Sequence, residues 1–357
     1  MRDSQAPPRD KSPGPPPSGF FAGLVLDGRY RLESLLGEGG MGTVWIGSQL
    51  ALQRRVAVKS LRVASPSQRE RLRREALALA AVHHPSIVEV HDYGETEDGL
   101  PYVVMELVEG ESLAARLDRV GAFPAEEAVS LVIPLLEGLA AAHRAGVIHR
   151  DIKPDNVVLA EGRAGVAPKL LDFGIARVDS DADARLTLDG GLVGTPAYMA
   201  PEQMRNAPTD ERVDVWGVGA LLYHLLAGEA PFGTQELLVV MRRVLEEPPS
   251  YPRKARGLDG RLWGILTAAL RKAPDERTPS ALALHDALAD WRDAHGAASP
   301  RAIARGSTMP PRAASPLETT LLAAPESAIA PTTTADPQYM DDAPPSFDLL
   351  IRAKLGI

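Results

Sequence analysis

No cysteine occurs anywhere in the sequence. That absence excludes disulfides, thiolate metal sites and thiol catalysis, and it suits a reducing cytoplasm. An excess of positive charge is missing as well. The net charge of -8 argues against non-specific binding to nucleic acid or to an anionic membrane surface. There is no long apolar run: the longest, Val213 to Leu226, is interrupted by Asp214 and His224 and is too short to span a bilayer. Met1 to Ser18 is polar and proline-rich, without the apolar centre that a signal peptide requires. No internal repeat with a period of roughly 20 to 50 residues is visible. What remains is ordinary for a soluble chain, with 45% hydrophobic and 24% charged residues over a length of 357, enough to bury a sizeable core.

Composition divides the chain in three. Residues 1–28 are punctuated by Pro, Ser and Gly, and disorder is expected there because so little apolar surface offsets the entropy of ordering. Residues 29–293 alternate strand-like and helix-like periods. Residues 294–357 are rich in Ala, Pro, Ser and Thr and read as a tail, in which Phe347, Leu350, Ile351 and Leu355 have helical spacing over a short docking candidate.

The chemistry concentrates in His149-Arg150-Asp151-Ile152-Lys153-Pro154-Asp155-Asn156. Asp151 supplies a carboxylate that can orient and deprotonate an attacking hydroxyl, Lys153 a charge to neutralise a moving phosphoryl group, and Asn156 an oxygen for a magnesium ion. Pro154 stiffens the turn. Such a loop standing alone is more often a solvated turn, so its companions decide. Gly37-Glu38-Gly39-Gly40-Met41-Gly42 lies between the strand-like runs Tyr30 to Leu36 and Thr43 to Gly47. A dinucleotide fold would open a helix there; the β-favouring Thr43-Val44-Trp45-Ile46 instead suits a hairpin lid whose backbone N–H groups approach phosphates closely. Arg55-Val56-Ala57-Val58-Lys59 is a third β-rich run, with Lys59 aimed to the same face as Ala57. A helix around Arg71 to Leu79 would put Leu72, Ala76 and Leu79 on one face, and another spans Ala125 to Arg144, closed by Gly146. Lys169-Leu170-Leu171-Asp172-Phe173-Gly174 places an acid after a short β-rich run. His83 and His84 beside Pro85 lack companions to complete a metal ligand set and read as a turn.

In this order the motifs resemble those of the protein kinases, with Ile152 for the usual Leu as the one departure in the catalytic loop. Lys153, Gly194-Thr195 and the bacterial-looking Gly-Gly-Met-Gly and Ala-Pro-Glu-Gln point to a eukaryotic-like serine/threonine kinase of bacterial type. The resemblance implies an α+β, bilobal fold, with a small antiparallel β-sheet lobe over 29–108 and a larger, mainly helical lobe over 109–293. It implies that Leu36, Val44, Ala57 and Val158 enclose the adenine of ATP, that Met105 backs the pocket, and that backbone groups of Glu106 and Val108 bond the adenine edge. Gly37, Glu38, Gly39, Gly40, Met41, Gly42 and Thr43 would then cover the phosphates. Lys59 would reach the α- and β-phosphates while paired with Glu75, and Asn156 and Asp172 would hold magnesium. Glu202 with Arg277, and Asp214 beneath the catalytic loop, match scaffold positions, and His149 packs and bonds backbone. Protein substrates follow from the family, as does self-association for trans-autophosphorylation. Loss of Lys59, Asp151 or Asp172 would mark a pseudokinase, and all three are present. A small-molecule phosphotransferase would lack the long segment from Asp172 to Ala200-Pro201-Glu202.

Within that segment the resemblance also implies a switch. Arg150 precedes the catalytic acid, and Arg177 matches a second basic position of a phosphate pocket. Ser180 lies among Asp179, Asp181 and Asp183, which repel added negative charge; Thr187 follows Arg185 and can reach back, unless it is simply an exposed loop residue.

Overall fold

A computed structural model describes residues 19–39, 42–61, 65–162, 165–173, 196–234 and 236–295. The chain starts with β1 (Val25–Leu26), β2 (Tyr30–Gly39), β3 (Gly42–Gln49) and β4 (Arg54–Ser60), followed by helix α1 (Pro66–Ala80), β5 (Val90–Glu95) and β6 (Pro101–Glu106). These six strands make one antiparallel sheet in the order β1-β2-β3-β4-β6-β5. Helix α1 is nucleated by its own sequence. The Ser65 hydroxyl accepts from the Gln68 N–H, the Gln68 side chain accepts from the Ser65 N–H, and Pro66 needs no partner in the first turn. Its buried face is Leu72, Ala76 and Leu79, as the periodicity implies.

Alternation along β4 sends its side chains into two separate cores. Ala57 joins Val103, Met105 and the face of α1 in the main core, whereas Val56 and Val58 join Leu26, Tyr30, Leu32, Tyr102 and Val104 in a second core on the far side of the sheet. That second core corrects the expected boundary at residue 28. Residues 19–28 are part of the small lobe: Leu26 is 3% exposed, Phe20 and Leu24 pack beside it, and the Gly23 N–H donates to the Leu32 carbonyl at 2.8 Å. Asp27 and Gly28 both take positive φ, the turn that an Asp-Gly pair makes between apolar strands. Asp27 then accepts a hydrogen bond from the Tyr102 hydroxyl at 2.5 Å, and Arg29 bridges to Asp92 at 2.6 Å.

Crossing Leu107–Glu109, the chain enters β7 (Gly110–Ser112), α2 (Leu113–Val120) and α3 (Ala125–Arg144), then β8 (Val157–Gly162) and β9 (Gly165–Leu170), with β7, β8 and β9 forming a second, three-stranded sheet. Helices α4 (Pro201–Met204), α5 (Arg212–Ala227), α6 (Leu237–Glu246), α7 (Gly260–Ala269) and α8 (Ala281–Ala294) complete the large lobe. α5 runs through its centre, buried along nearly its whole length. Gly217 lets it back onto the catalytic loop, since a Cβ there would stand 2.9 Å from the Cβ of Ile152. Arg277 and Glu202 form the expected buried pair, bidentate at 2.6 and 2.9 Å. Beside it, the Lys272 ammonium lies 4.0 Å from the ring centre of Phe232 and donates to the Arg243 and Val244 carbonyls.

The lobes are joined by main chain. The Leu170 N–H donates to the Ser86 carbonyl at 2.8 Å and the Val88 N–H to the Leu170 carbonyl at 3.0 Å, so β9 is fastened directly to the small-lobe segment that follows α1.

Two expectations follow. Compared with a chain beginning at Gly19, a chain beginning at Arg29 loses the burial of Leu26 and strands the Tyr102 hydroxyl, together on the order of 4 kcal/mol, or about 10 °C in melting temperature. An unchanged melting temperature would show that the segment lies on the sheet without stabilising it. For Lys272, burial and the nearby guanidinium groups lower its pKa to about 8. Folding therefore releases a proton between that value and the ordinary lysine range; the penalty is fully present below about 8 and is relieved as pH rises. Urea unfolding between pH 8 and 10 should show stability rising more steeply in the parent than in Lys272→Met, and identical slopes would count against it.

Candidate active site

The catalytic loop hangs from one carboxylate. Asp214, in the first turn of α5 and 1% exposed, accepts from the His149 N–H at 2.8 Å and the Arg150 N–H at 2.7 Å. The His143 Nε2 lies 2.7 Å from the same group. Burial alone would raise the pKa of Asp214, but His143, His149 and the N–H donors outweigh it and hold the acid below the usual carboxylate range. The two bonds keep Arg150 at a φ of 65°, a left-handed conformation costly for a side-chain-bearing residue. His149 is fully buried: its Nε2 bonds the Leu171 carbonyl at 2.7 Å and its ring lies against Phe173, while burial pushes its pKa down.

Downstream, Asn156 closes the loop on the acid. Its Nδ2 donates to the Asp151 carbonyl at 2.7 Å and to Asp151 Oδ2 at 3.1 Å, and Lys153 Nζ stands 3.3 Å from the same carboxylate oxygen. The Gln203 side chain, from α4, donates to the Arg150 carbonyl at 2.9 Å. Asp172 is reached from the end of β9, just beyond which the Leu171 N–H donates to the Asn156 carbonyl at 2.8 Å. Asp172 also has positive φ, at 49°, and its Oδ1 lies 3.0 Å from Lys59 Nζ. The structure thus brings Asp151, Lys153 and Asn156 into one bonded cluster, and Lys59 and Asp172 into another.

Glu75 departs from expectation. Lys59 pairs with Asp172, and Glu75 sits between Arg71 at 3.0 Å and Arg150 at 3.8 Å. The physical reason is local competition. Arg71 is one turn before Glu75 on α1, and two guanidinium groups close to one carboxylate outweigh a lysine already neutralised by another acid. Arg150, expected to face a phosphate, therefore points toward α1.

Above this cluster, Gly37, Glu38 and Gly39 end β2, and Gly42, Thr43 and Val44 begin β3. Gly42 is required there: at φ 143° a Cβ would fall 1.9 Å from the Ser60 carbonyl oxygen. Ala57, Met105 and Val158 are buried, and Leu36 and Val44 are partly exposed. Behind Met105 a small apolar cavity runs from the Lys59–Asp172 pair past Val90 and Val103 to Leu79 and Phe173. One expected contact is partly committed, because the Glu106 N–H donates to the Glu89 carbonyl at 2.9 Å. The Glu106 side chain has a task that sequence reasoning missed. It accepts from the Glu89 N–H at 2.7 Å and from Lys169 Nζ at 2.5 Å, tying the connection between the lobes to β9. The lysine three residues before Asp172 was the available signal. Val108 follows β6 by two residues and packs against the main core. Gly40, Met41, Arg177 and Thr187 lie outside the described residues, as do Ser180, Gly194-Thr195 and the apolar residues of the tail.

The oxygen donors suit a magnesium ion bound with a polyphosphate. The Asn156 amide nitrogen is spent on Asp151, which leaves the amide oxygen as its ligand atom, and Asp172 adds a carboxylate. Among the described residues no cluster of three or more His, Cys, Asp or Glu could cage a metal. A pair of oxygen ligands is what magnesium takes when phosphate oxygens and waters fill the other positions. Also among the described residues, no helix is long and apolar enough to cross a membrane.

Comparison with known proteins agrees with this geometry. The sequence profile of the protein kinase domain matches residues 30–287. The chain is 42% identical over 285 residues to the serine/threonine-protein kinase pkn2 of Myxococcus xanthus, covering 78% of this chain and 34% of that protein. It is 39% identical over 280 residues to the serine/threonine-protein kinase PksC of Streptomyces coelicolor, covering 75% and 50%. The serine/threonine-protein kinase PknB of Mycobacterium leprae is 39% identical over 263 residues, covering 72% and 42%. The chain spans only about a third to a half of the length of these relatives. With the two-lobed fold, the ordered motifs and the profile in agreement, the chain belongs to the protein kinase domain family, and within it is similar to bacterial serine/threonine-protein kinases.

Proposed function

We propose that the protein transfers the γ-phosphoryl group of ATP to serine or threonine hydroxyls of protein substrates by direct in-line displacement. The observation that carries this is the bonded set Asp151, Lys153 and Asn156, held by Asp214 and fastened through Leu171 to the Lys59–Asp172 pair. Asp151 orients the hydroxyl and takes its proton; Lys153, already beside Asp151, offsets charge on the transferred group. Lys59 steadies the α- and β-phosphates, beneath the hairpin formed by β2 and β3. Asn156 and Asp172 would hold magnesium, which supplies charge neutralisation on the phosphate oxygens. The adenine lies between Leu36, Val44, Ala57 and Val158, with Met105 behind it. The reaction runs in the cytoplasm, where ATP is available.

The switch runs through Glu75 and Arg150. Phosphate on Thr187, placed by self-association of two copies, adds about -1.5 to -2 charge and draws Arg150 and Arg177. Arg150 then leaves Glu75, which becomes able to pair with Lys59.

Asp151→Asn should retain ATP binding and lose roughly 10² to 10⁴ in turnover, about 3 to 5 kcal/mol of barrier, because a carboxamide is a poor proton acceptor. Turnover within threefold of the parent on a basic protein substrate would remove Asp151 from the base role. Thr187→Ala should reduce activity by roughly tenfold or more with ATP affinity little changed, since one to three charge-assisted bonds are lost. Full activity, together with no phosphate at Thr187 by mass spectrometry of the parent, would rule the switch out.

A further inference from the structure

Where the ladder between β3 and β4 ends, a side chain replaces the backbone. The paired register closes at Val44 opposite Lys59. One residue further, the Thr43 N–H donates to the Ser60 hydroxyl at 3.1 Å, and the hydroxyls of Thr43 and Ser60 are 2.7 Å apart. The Trp45 indole N–H, which can only donate, reaches Thr43 Oγ1 at 2.8 Å. One arrangement satisfies every donor: Trp45 donates to Thr43 Oγ1, Thr43 Oγ1–H to Ser60 Oγ, and Ser60 Oγ–H to the Thr43 carbonyl at 3.3 Å. Ser60 is 6% exposed, so water cannot easily take its place. Gly42 is pressed onto the Ser60 carbonyl, which leaves the base of the glycine-rich hairpin seated on a single residue. That residue is the immediate neighbour of Lys59.

We propose that Ser60 is a positioning residue, a latch that sets the height of the glycine-rich hairpin over the Lys59 ammonium through Thr43 and Trp45. The proposal deepens the functional reading above, since it takes the hairpin to be the cover of the ATP phosphates. Main-chain pairing with β4 stops at Val44, and beyond it Thr43 is paired only with Glu38 of β2, the other arm of the same hairpin; the hydroxyl pair is what ties Thr43 to β4. Buried hydroxyl pairs also occur as plain packing, and the two roles separate in kinetics. Packing alone lowers stability and the active fraction. A latch alters the affinity for ATP.

The test uses the full chain with Ser60→Ala, Trp45→Phe, which removes the indole donor to Thr43 Oγ1, and the double variant. Ser60→Ala and Trp45→Phe should each raise the KM for ATP, Ser60→Ala by roughly tenfold, while kcat and the KM for a protein substrate stay within about threefold, the size expected when one buried donor loses its partner. In the double variant the two increases should not multiply, because both changes break the same chain of hydrogen bonds through Thr43. Hydrogen exchange at the Thr43 amide, followed without nucleotide, should speed up in Ser60→Ala. A KM for ATP within twofold of the parent in both single variants, or increases that multiply in the double, would overturn the latch. So would a loss of rate that merely follows a fall in folded fraction, with the KM for ATP unchanged. Should the parent itself show no ATP-dependent phosphorylation, the kinase function fails, and the Thr43 amide still decides the latch by exchanging faster or at the parent rate.

Discussion

A buried carboxylate, that of Asp214, is the constraint on which the large lobe depends. Taking a charge out of water is costly, and only a full set of hydrogen bonds makes it tolerable. Asp214 meets that condition with the His149 and Arg150 N–H groups and the ring of His143. In return it holds Arg150 in a left-handed conformation that costs about 1 to 3 kcal/mol and that an unsupported loop would abandon. The turn of backbone at Arg150 is what presents Asp151 to Lys153 and Asn156. Burial of α5 is therefore a condition of the chemistry: a carboxylate on an exposed helix would be hydrated and would release the loop.

Asp172 is held from both lobes. β9 is bonded to Ser86 and Val88, the next residue, Leu171, is bonded to Asn156, and together they deliver Asp172 to Lys59 from β4. Lys169 on the same strand donates to Glu106, which ties the chain segment between the lobes to the strand leading to Asp172. The three-stranded sheet of the large lobe thus has one member bonded to the small lobe, through the bridge between Ile87 and Leu170. The ion pairs near the cleft are arranged around that joint. Lys59 is neutralised across it by Asp172, and Glu75 faces it between two arginines.

Much of this was legible in the sequence where local rules dominate. The helix over Ala125–Arg144, the buried face Leu72, Ala76 and Leu79, and the strands around the glycine-rich stretch follow from periodicity and capping residues that act over a few positions. The Glu202–Arg277 pair and the place of Asp214 were legible through motif resemblance. The small-lobe start was misjudged because Leu24-Val25-Leu26 is too short to stand out as an element, although Asp27-Gly28 carried a turn signature. Two residues of strand become structural only when a sheet face offers them Tyr30, Leu32 and Tyr102 to cover.

The sequence by itself determined the set of chemical groups and their order: which residue can accept a proton, which can carry charge to a phosphate, and which turn needs glycine. These are properties of residue type and close spacing. Only the tertiary structure decided which charges meet. Lys59 takes Asp172, Glu75 takes Arg150 as well as Arg71 one helical turn before it, and Glu106 takes Lys169; apart from the Arg71 pair, each crosses a separation no periodicity reports. Such partners are chosen by distance in the folded chain, where a few ångströms change a Coulomb energy by more than the intrinsic preference of any one pair.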